Sequence, residues 1–301
     1  MKIRKSLLAL ILCAACLLAG CVDQSGPAAG QETGAAAGGG TIAATSVAVM
    51  QICEKLDLDL VGVPHSNLVE LPERYKNATV VGSPMAPDME ILSQLGPEWV
   101  LSPSSLQSDL QPKYEAAGLK YGFLNLKTVF GMFQSIEDLG VLFDREEQAG
   151  ALVAEFNSFY ETYQKEHQDQ PAPRVLVLMG LPGSYVVATE NSYVGSLVEL
   201  SGAENVYAGT DQEFLNVNTE DMLQKNPDII LRTAHALPES VMEMFAEEFR
   251  TNDIWKHFDA VKNDCVYDLP HDKFGMSANF TYPEALEILD GILYADAGGN
   301  A

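Results

Sequence analysis

The chain has 301 residues, with 42 acidic against 18 basic side chains and a formal net charge of −24. That balance disfavours nucleic acid and anionic membrane surfaces as partners. The length leaves room for two lobes, each large enough for its own core. No GxxxxGK[ST], HExxH or GxSxG motif occurs to suggest nucleotide, protease or hydrolase chemistry, and the single CxxC spacing, Cys13 to Cys16, falls in the apolar run near the start of the chain, which leaves no structural-zinc pattern in the rest.

Lys2, Arg4 and Lys5 precede an apolar run from Leu7 to Leu18, which ends in Leu18-Ala19-Gly20-Cys21. This reads as a secretory leader over 1–20 with a lipobox, whose Cys21 thiol takes a diacylglycerol and holds the mature chain on the outer face of the cytoplasmic membrane. Removing the leader takes three basic residues and makes the charge more negative, about −27. Residues 21–40 are mostly Gly, Ala, Ser, Gln and Thr without periodicity and read as a flexible tether. Of the five cysteines only Cys53 and Cys265 remain for the folded part. The pattern Val47, Val49, Met50, Cys53, Leu56 predicts a buried helical position and a free thiol for Cys53.

Folded structure is predicted from residue 41. A strand at 41–45, a helix at 46–56 and a strand at 58–63 form a βαβ unit. A helix–strand unit around Glu90, a helix at 110–117 and a strand at 121–124 complete a first lobe over 41–142. From 130 to 168 the apolar spacing is helical with little interruption and predicts one long helix, with 143–170 crossing between lobes. Pro171-Ala172-Pro173 ends it, and a second lobe follows over 171–301. Its strands are expected at 174–179, 185–188, 229–231 and 265–267, and its helices at 196–201, 219–225, 239–248 and 282–294. The fold class is therefore α/β: two Rossmann-like lobes with parallel sheets, a spanning helix and a ligand cleft between them.

One pattern recurs. Glu90 is followed seven residues later by Pro97-Glu98-Trp99-Val100-Leu101, and Glu220 by Pro227-Asp228-Ile229-Ile230-Leu231. Each glutamate follows an Asp or Asn suited to a helix N-cap, and each proline ends a helix and launches a buried strand. A helix–turn–strand unit has been used twice.

The residues beside these units differ. Met85 lies between Pro84 and Pro87 ahead of the first unit, poorly placed for ordinary core packing. His235 follows the second repeated strand, at the carboxyl end where α/β folds place ligands. A thioether and an imidazole on opposing lobes form a suitable axial pair for haem iron. The propionates of a haem need cationic or hydroxyl donors; Arg74-Tyr75-Lys76 offers them, with Tyr75 or Lys76 as the expected contact. Thr45 and Ser46, at the start of the first helix, offer backbone N–H groups as a second anion point. His65 and His271 lie in loops at strand ends, His271 being the reserve ligand, while His167 and His257 are expected to be solvated.

The segments LPERYKNATVVGSPMAPDMEIL (71–92), VLVLMGLPGSYVVATENSYVG (175–195), NPDIILRTAHALPESVMEMF (226–245), NDIWKHFDAVKNDCVYDL (252–269) and FGMSANF (274–280) resemble the haem-receptor lipoproteins of IsdE type. These belong to a class of two-lobed binding proteins that feed haem, siderophores or cobalamin to ABC transporters. The resemblance spans essentially residues 41–295 and is weaker around His271. It implies axial ligation by Met85 and His235, haem as the transported ligand, and no catalysed reaction. It also implies docking on an ABC permease through Glu90 and Glu220. A ferric siderophore or a corrinoid is the alternative cargo, and an upstream haem-donor surface protein and a monomeric state are further expectations.

Overall fold

The computed structural model describes residues 40–66 and 69–294. The leader predicted at 1–20, the lipidation expected at Cys21 and the tether predicted up to residue 40 fall on residues that, but for Gly40, lie outside the described ones, as do 67–68 and 295–301.

Residues 42–124 build one sheet and its helices: β1 (Ile42–Ala44), α1 (Val47–Lys55), β2 (Leu60–Val63), β3 (Thr79–Val80), β4 (Gly82–Ser83), β5 (Ala86–Pro87), α2 (Met89–Leu95), β6 (Trp99–Pro103), α3 (Gln107–Ala116) and β7 (Tyr121–Leu124). The strands order as β3-β2-β1-β6-β7, all parallel, while β4 and β5 form a small antiparallel hairpin of their own. Ala43, Ala44, Val100 and Leu101 are fully buried, as expected of central parallel strands with both faces covered. Ser46 caps α1 by accepting from the Val49 N–H, and the helix turns Val49, Met50, Ile52 and Cys53 into the core. Burial there pushes the Cys53 thiol up to about 12, and both Cys53 and Cys265 are free.

The second sheet is built from β8 (Arg174–Leu181), β9 (Ser184–Ala188), β10 (Glu204–Asn205), β11 (Phe214–Leu215), β12 (Ile229–Ala234) and β13 (Val266–Asp268). It runs β11-β9-β8-β12-β13 with β10 also on β8. β10, β8, β12 and β13 are parallel, and β9 and β11 add antiparallel pairings. The reversal comes from Pro182-Gly183, with Gly183 at φ 79°, a two-residue turn that closes β8 onto β9. The helices here are α6 (Tyr193–Leu200), α7 (Thr219–Lys225), α8 (Pro238–Thr251), α9 (Asp259–Lys262) and α10 (Tyr282–Leu293); α4 (Val129–Leu142) and α5 (Glu146–His167) come before β8.

The repeated unit is visible down to its caps. Asp88 accepts from the N–H groups of Glu90 and Ile91 to start α2, and Asn218 accepts from Asp221 to start α7. Gly96 at φ 57° and Asn226 at φ 45° end these helices in the left-handed conformation. Pro97 and Pro227 then lead into β6 and β12, each flanked by strands on both sides.

The segment predicted as one helix over 130–168 is two, α4 (Val129–Leu142) and α5 (Glu146–His167). Asp144 at φ 55° breaks the run, and the helices fold back on each other. Phe133 stacks on Phe156 at 4.3 Å, and a Cβ on Gly140 would lie 2.6 Å from that of Ala149, so the two backbones meet closely there. α5 has 22 residues, about 33 Å of helix. Near its start Phe143 packs edge-on against Trp99 of β6, and near its end Tyr163 and His167 both meet Asp290 of α10. His167 is therefore packed, stacked on Tyr163 at 4.2 Å, rather than solvated.

The halves also touch beside β7. The Ala278 N–H donates to the Leu126 carbonyl at 2.8 Å, and Lys127 pairs with Glu213 at 3.2 Å. The Glu213 carboxyl is held above its usual range by burial, which the lysine only partly offsets.

Candidate functional site

Met85 is carried by the turn of the β4–β5 hairpin, and the local sequence explains the turn. Gly82 adopts φ 99°, where a Cβ would come within 2.9 Å of the Ala86 carbonyl and the Asp88 nitrogen. Gly82 is also tied to the preceding loop, its carbonyl accepting from the His65 N–H at 2.8 Å. Below the turn, Val81 donates to the Val63 carbonyl at the carboxyl end of β2, and Asp88 donates to the Val81 carbonyl. Met85 thus stands above the carboxyl ends of β2 and β3, 69 % exposed.

His235 follows β12 directly. Its N–H donates to the Gly180 carbonyl at 3.0 Å, fixing the backbone to the carboxyl-terminal part of β8. The side chain reaches solvent, yet the protein packed around it holds the imidazole below its ordinary pKa by desolvation. A neutral imidazole is the form that donates to a metal. His271, three residues past β13 in the neighbouring loop, is exposed.

Large apolar side chains are exposed at seven of the described positions. Phe130, Val141 and Leu142 belong to α4, while Val69, Val80, Met85 and Leu237 lie in loops or strand ends near the carboxyl ends of β2, β3 and β12. The carboxyl ends of parallel strands are where α/β folds place ligands, so apolar side chains exposed there are candidates for lining a site. Val69, Val80 and Leu237 escape a reading guided by donor atoms, because a lone aliphatic residue carries no motif; only its exposure marks it.

Tyr75 and Lys76 do not belong with this group. The Arg74 guanidinium pairs with Asp57 and Asp59, just ahead of β2, and the Tyr75 hydroxyl donates to the Leu58 carbonyl at 2.8 Å. The chain has returned from the carboxyl end of β2 to its amino end before β3 begins. Tyr75 is 1 % exposed with its hydroxyl already engaged, and Lys76 pairs with Glu73. Both stand at the wrong end of the sheet for the expected propionate contact.

Thr45 and Ser46 do sit at the carboxyl end of β1. The Thr45 hydroxyl is buried, donating to the Leu101 carbonyl at 3.2 Å and lying 2.8 Å from the Ser102 hydroxyl, and the Ser46 hydroxyl is the cap of α1. Their side chains are occupied, so an anion here would meet only the backbone N–H groups of the first turn, which holds no acidic residue. Glu90 and Glu220 occupy matching places in the first turns of α2 and α7 and are both exposed; Glu90 accepts from the Gln94 amide.

Comparison with known proteins shows the family and the fold. Residues 42–273 match the model of the periplasmic binding protein family. The "High-affinity heme uptake system protein IsdE" of Staphylococcus aureus is 44 % identical over 256 residues, 85 % of this chain and 87 % of that protein. Among solved structures, an ABC transporter substrate-binding protein from Listeria monocytogenes EGD-e superposes with a TM-score of 0.81 at 47 % identity, covering 86 % of this chain and all of that one. The structure of S. aureus IsdE complexed with haem superposes with a TM-score of 0.80 at 43 % identity, covering 85 % of this chain and all of that one.

Proposed function

The chain belongs to the periplasmic binding protein family, and on that premise we propose that it captures haem between its two halves, with Met85 and His235 as axial ligands, and delivers it to an ABC permease. It is a substrate-binding component and not an enzyme, as are the relatives it matches across most of its length. The observation that carries the cargo is the pair of donors: an exposed thioether and an imidazole kept neutral by its surroundings, each at the carboxyl end of a different sheet, with apolar side chains exposed nearby. A porphyrin needs both kinds of contact, soft and nitrogen donors for the iron and apolar surface for the ring.

The parts have distinct duties. Residues 41–142 and 171–301 act as the lobes. The imidazole is the stronger donor and anchors the iron; the thioether is weak enough to be lost when the permease takes the cargo. The backbone N–H groups at Thr45 and Ser46 meet a propionate. Glu90 and Glu220, equivalent by the repeat, face the permease. Cys21 carries the lipid that keeps the protein at the outer face of the cytoplasmic membrane, where an upstream surface protein supplies haem to the monomer.

Titration of the purified protein with haem tests the reading, with a ferric catecholate siderophore and cobalamin in parallel. A shifted Soret band saturating at one haem per chain is expected, with no competition from the other two. Competition by either, or no Soret shift, contradicts it. Docking is tested separately: Glu90→Lys with Glu220→Lys should leave haem affinity unchanged within about twofold, since neither change alters a donor, while lowering haem uptake into vesicles that hold the permease.

A further inference from the structure

Five non-glycine residues among those described have positive φ: Asp57, Asp144, Asn226, Asp264 and Leu237. Four are Asp or Asn, whose short polar side chains tolerate the left-handed region. Leu237, at φ 47° and ψ 58°, does not fit that explanation. Pro238 follows it, and a residue ahead of proline is driven towards extended backbone. Leu237 is also the N-cap of α8 and contributes no side-chain acceptor, whereas Ser46, Asp88, Thr128, Ser192 and Asn218 cap their helices from extended backbone with a side-chain oxygen.

Burial does not compensate. The Leu237 side chain is 63 % exposed and joins none of the buried clusters, although Ala234 and Val241 on either side of it are buried. Glycine would relieve the backbone there, and asparagine would tolerate it while adding a polar group. The position instead holds a bulky apolar side chain facing solvent, two residues beyond His235. Strain of this kind persists where a bound state uses it.

We propose that Leu237 is an affinity-determining residue of the His235 side of the site, its side chain forming an apolar wall that packs on the haem macrocycle. This rests on the haem reading above. The free protein carries an unfavourable backbone at this point, and the bound complex recovers it as apolar area removed from water.

The experiment compares wild type with Leu237→Gly, Leu237→Asn and Leu237→Met, reading the melting temperature without haem, the haem dissociation constant by Soret titration, and the spectrum of the complex. Gly and Asn are expected to leave the melting temperature unchanged or raise it, and to weaken haem binding by roughly tenfold, the loss of most of one buried leucine. Met should bind within about threefold of wild type, being apolar and of similar volume. The spectrum should not change in any of them, since axial ligation is untouched. Gly and Asn variants that bind haem as tightly as wild type overturn the proposal, as does a melting temperature lowered in both, which would make Leu237 a structural residue. A wild-type protein that gives no Soret shift would instead defeat the haem reading itself.

Discussion

The loops that carry Met85 and His235 are built on opposite terms. The Met85 turn is conformationally relaxed: glycine occupies its positive-φ position, a hairpin closes it, and Asp88 caps the helix that follows. The His235 loop is strained: it leaves β12, places a leucine in the left-handed region ahead of proline, and starts α8 without a side-chain cap. The difference matches the chemistry proposed for each side. A weak, releasable donor needs only to be presented, whereas the anchoring donor sits where the backbone is held in a conformation that a bound ligand can offset.

The two loops should differ most in what the loss of each donor costs. His235→Ala should weaken haem binding by roughly 100-fold, about 2.7 kcal/mol, in a Soret titration. Met85→Ala should weaken it by only about tenfold, as befits a thioether; equal losses would erase the proposed division between anchor and releasable ligand. Gly82→Ala should lower stability by about 1–2 kcal/mol in chemical denaturation, because φ 99° and the close approach of Ala86 and Asp88 both oppose a Cβ. An unchanged midpoint would mean that the Met85 turn does not depend on its glycine.

The smallest effect is in pH. Burial lowers the His235 pKa, so the imidazole stays neutral further into acid than an ordinary histidine at about 6.5. Haem affinity should therefore hold as pH falls to about 6.5 and decline only below the lowered value. Apo stability should follow the same sign: the unfolded chain takes up the proton first, so His235 disfavours the folded state progressively as pH falls from its unfolded towards its folded pKa. Affinity already halved at about pH 7 would place the imidazole on the other side of its ordinary value.

Much of this was legible in the chain because it is locally encoded. The repeated units are written in their caps, Asp88 and Asn218 at one end and Gly96-Pro97 and Asn226-Pro227 at the other, and such signals act within a few residues. The break between α4 and α5 was only partly legible: the Phe143-Asp144 step interrupts the apolar spacing, but nothing in it marks a reversal of the chain. Phe143-Asp144-Arg145 contains neither glycine nor proline, and an aspartate enters the left-handed region without a distinctive sequence mark. Tyr75 and Lys76 lie close to Met85 in sequence but at the other end of the sheet, since the connection after β2 doubles back and is tied down by Arg74 to Asp57 and Asp59. Donor chemistry pointed to the site; which end of a strand a loop visits is decided by tertiary contacts. Leu237 lay further out of reach, since its own propensity and its proline neighbour both argue against the conformation it adopts.

In the proposed complex one thioether and one imidazole, from opposite halves, hold the same iron. Absorption and magnetic circular dichroism of the haem complex test it most directly, in wild type, Met85→Ala and His235→Ala. Wild type is expected to give a six-coordinate low-spin spectrum with a thioether–iron charge-transfer band, Met85→Ala to lose that band alone, and His235→Ala to lose the low-spin form. A wild-type spectrum retained in both variants would contradict it.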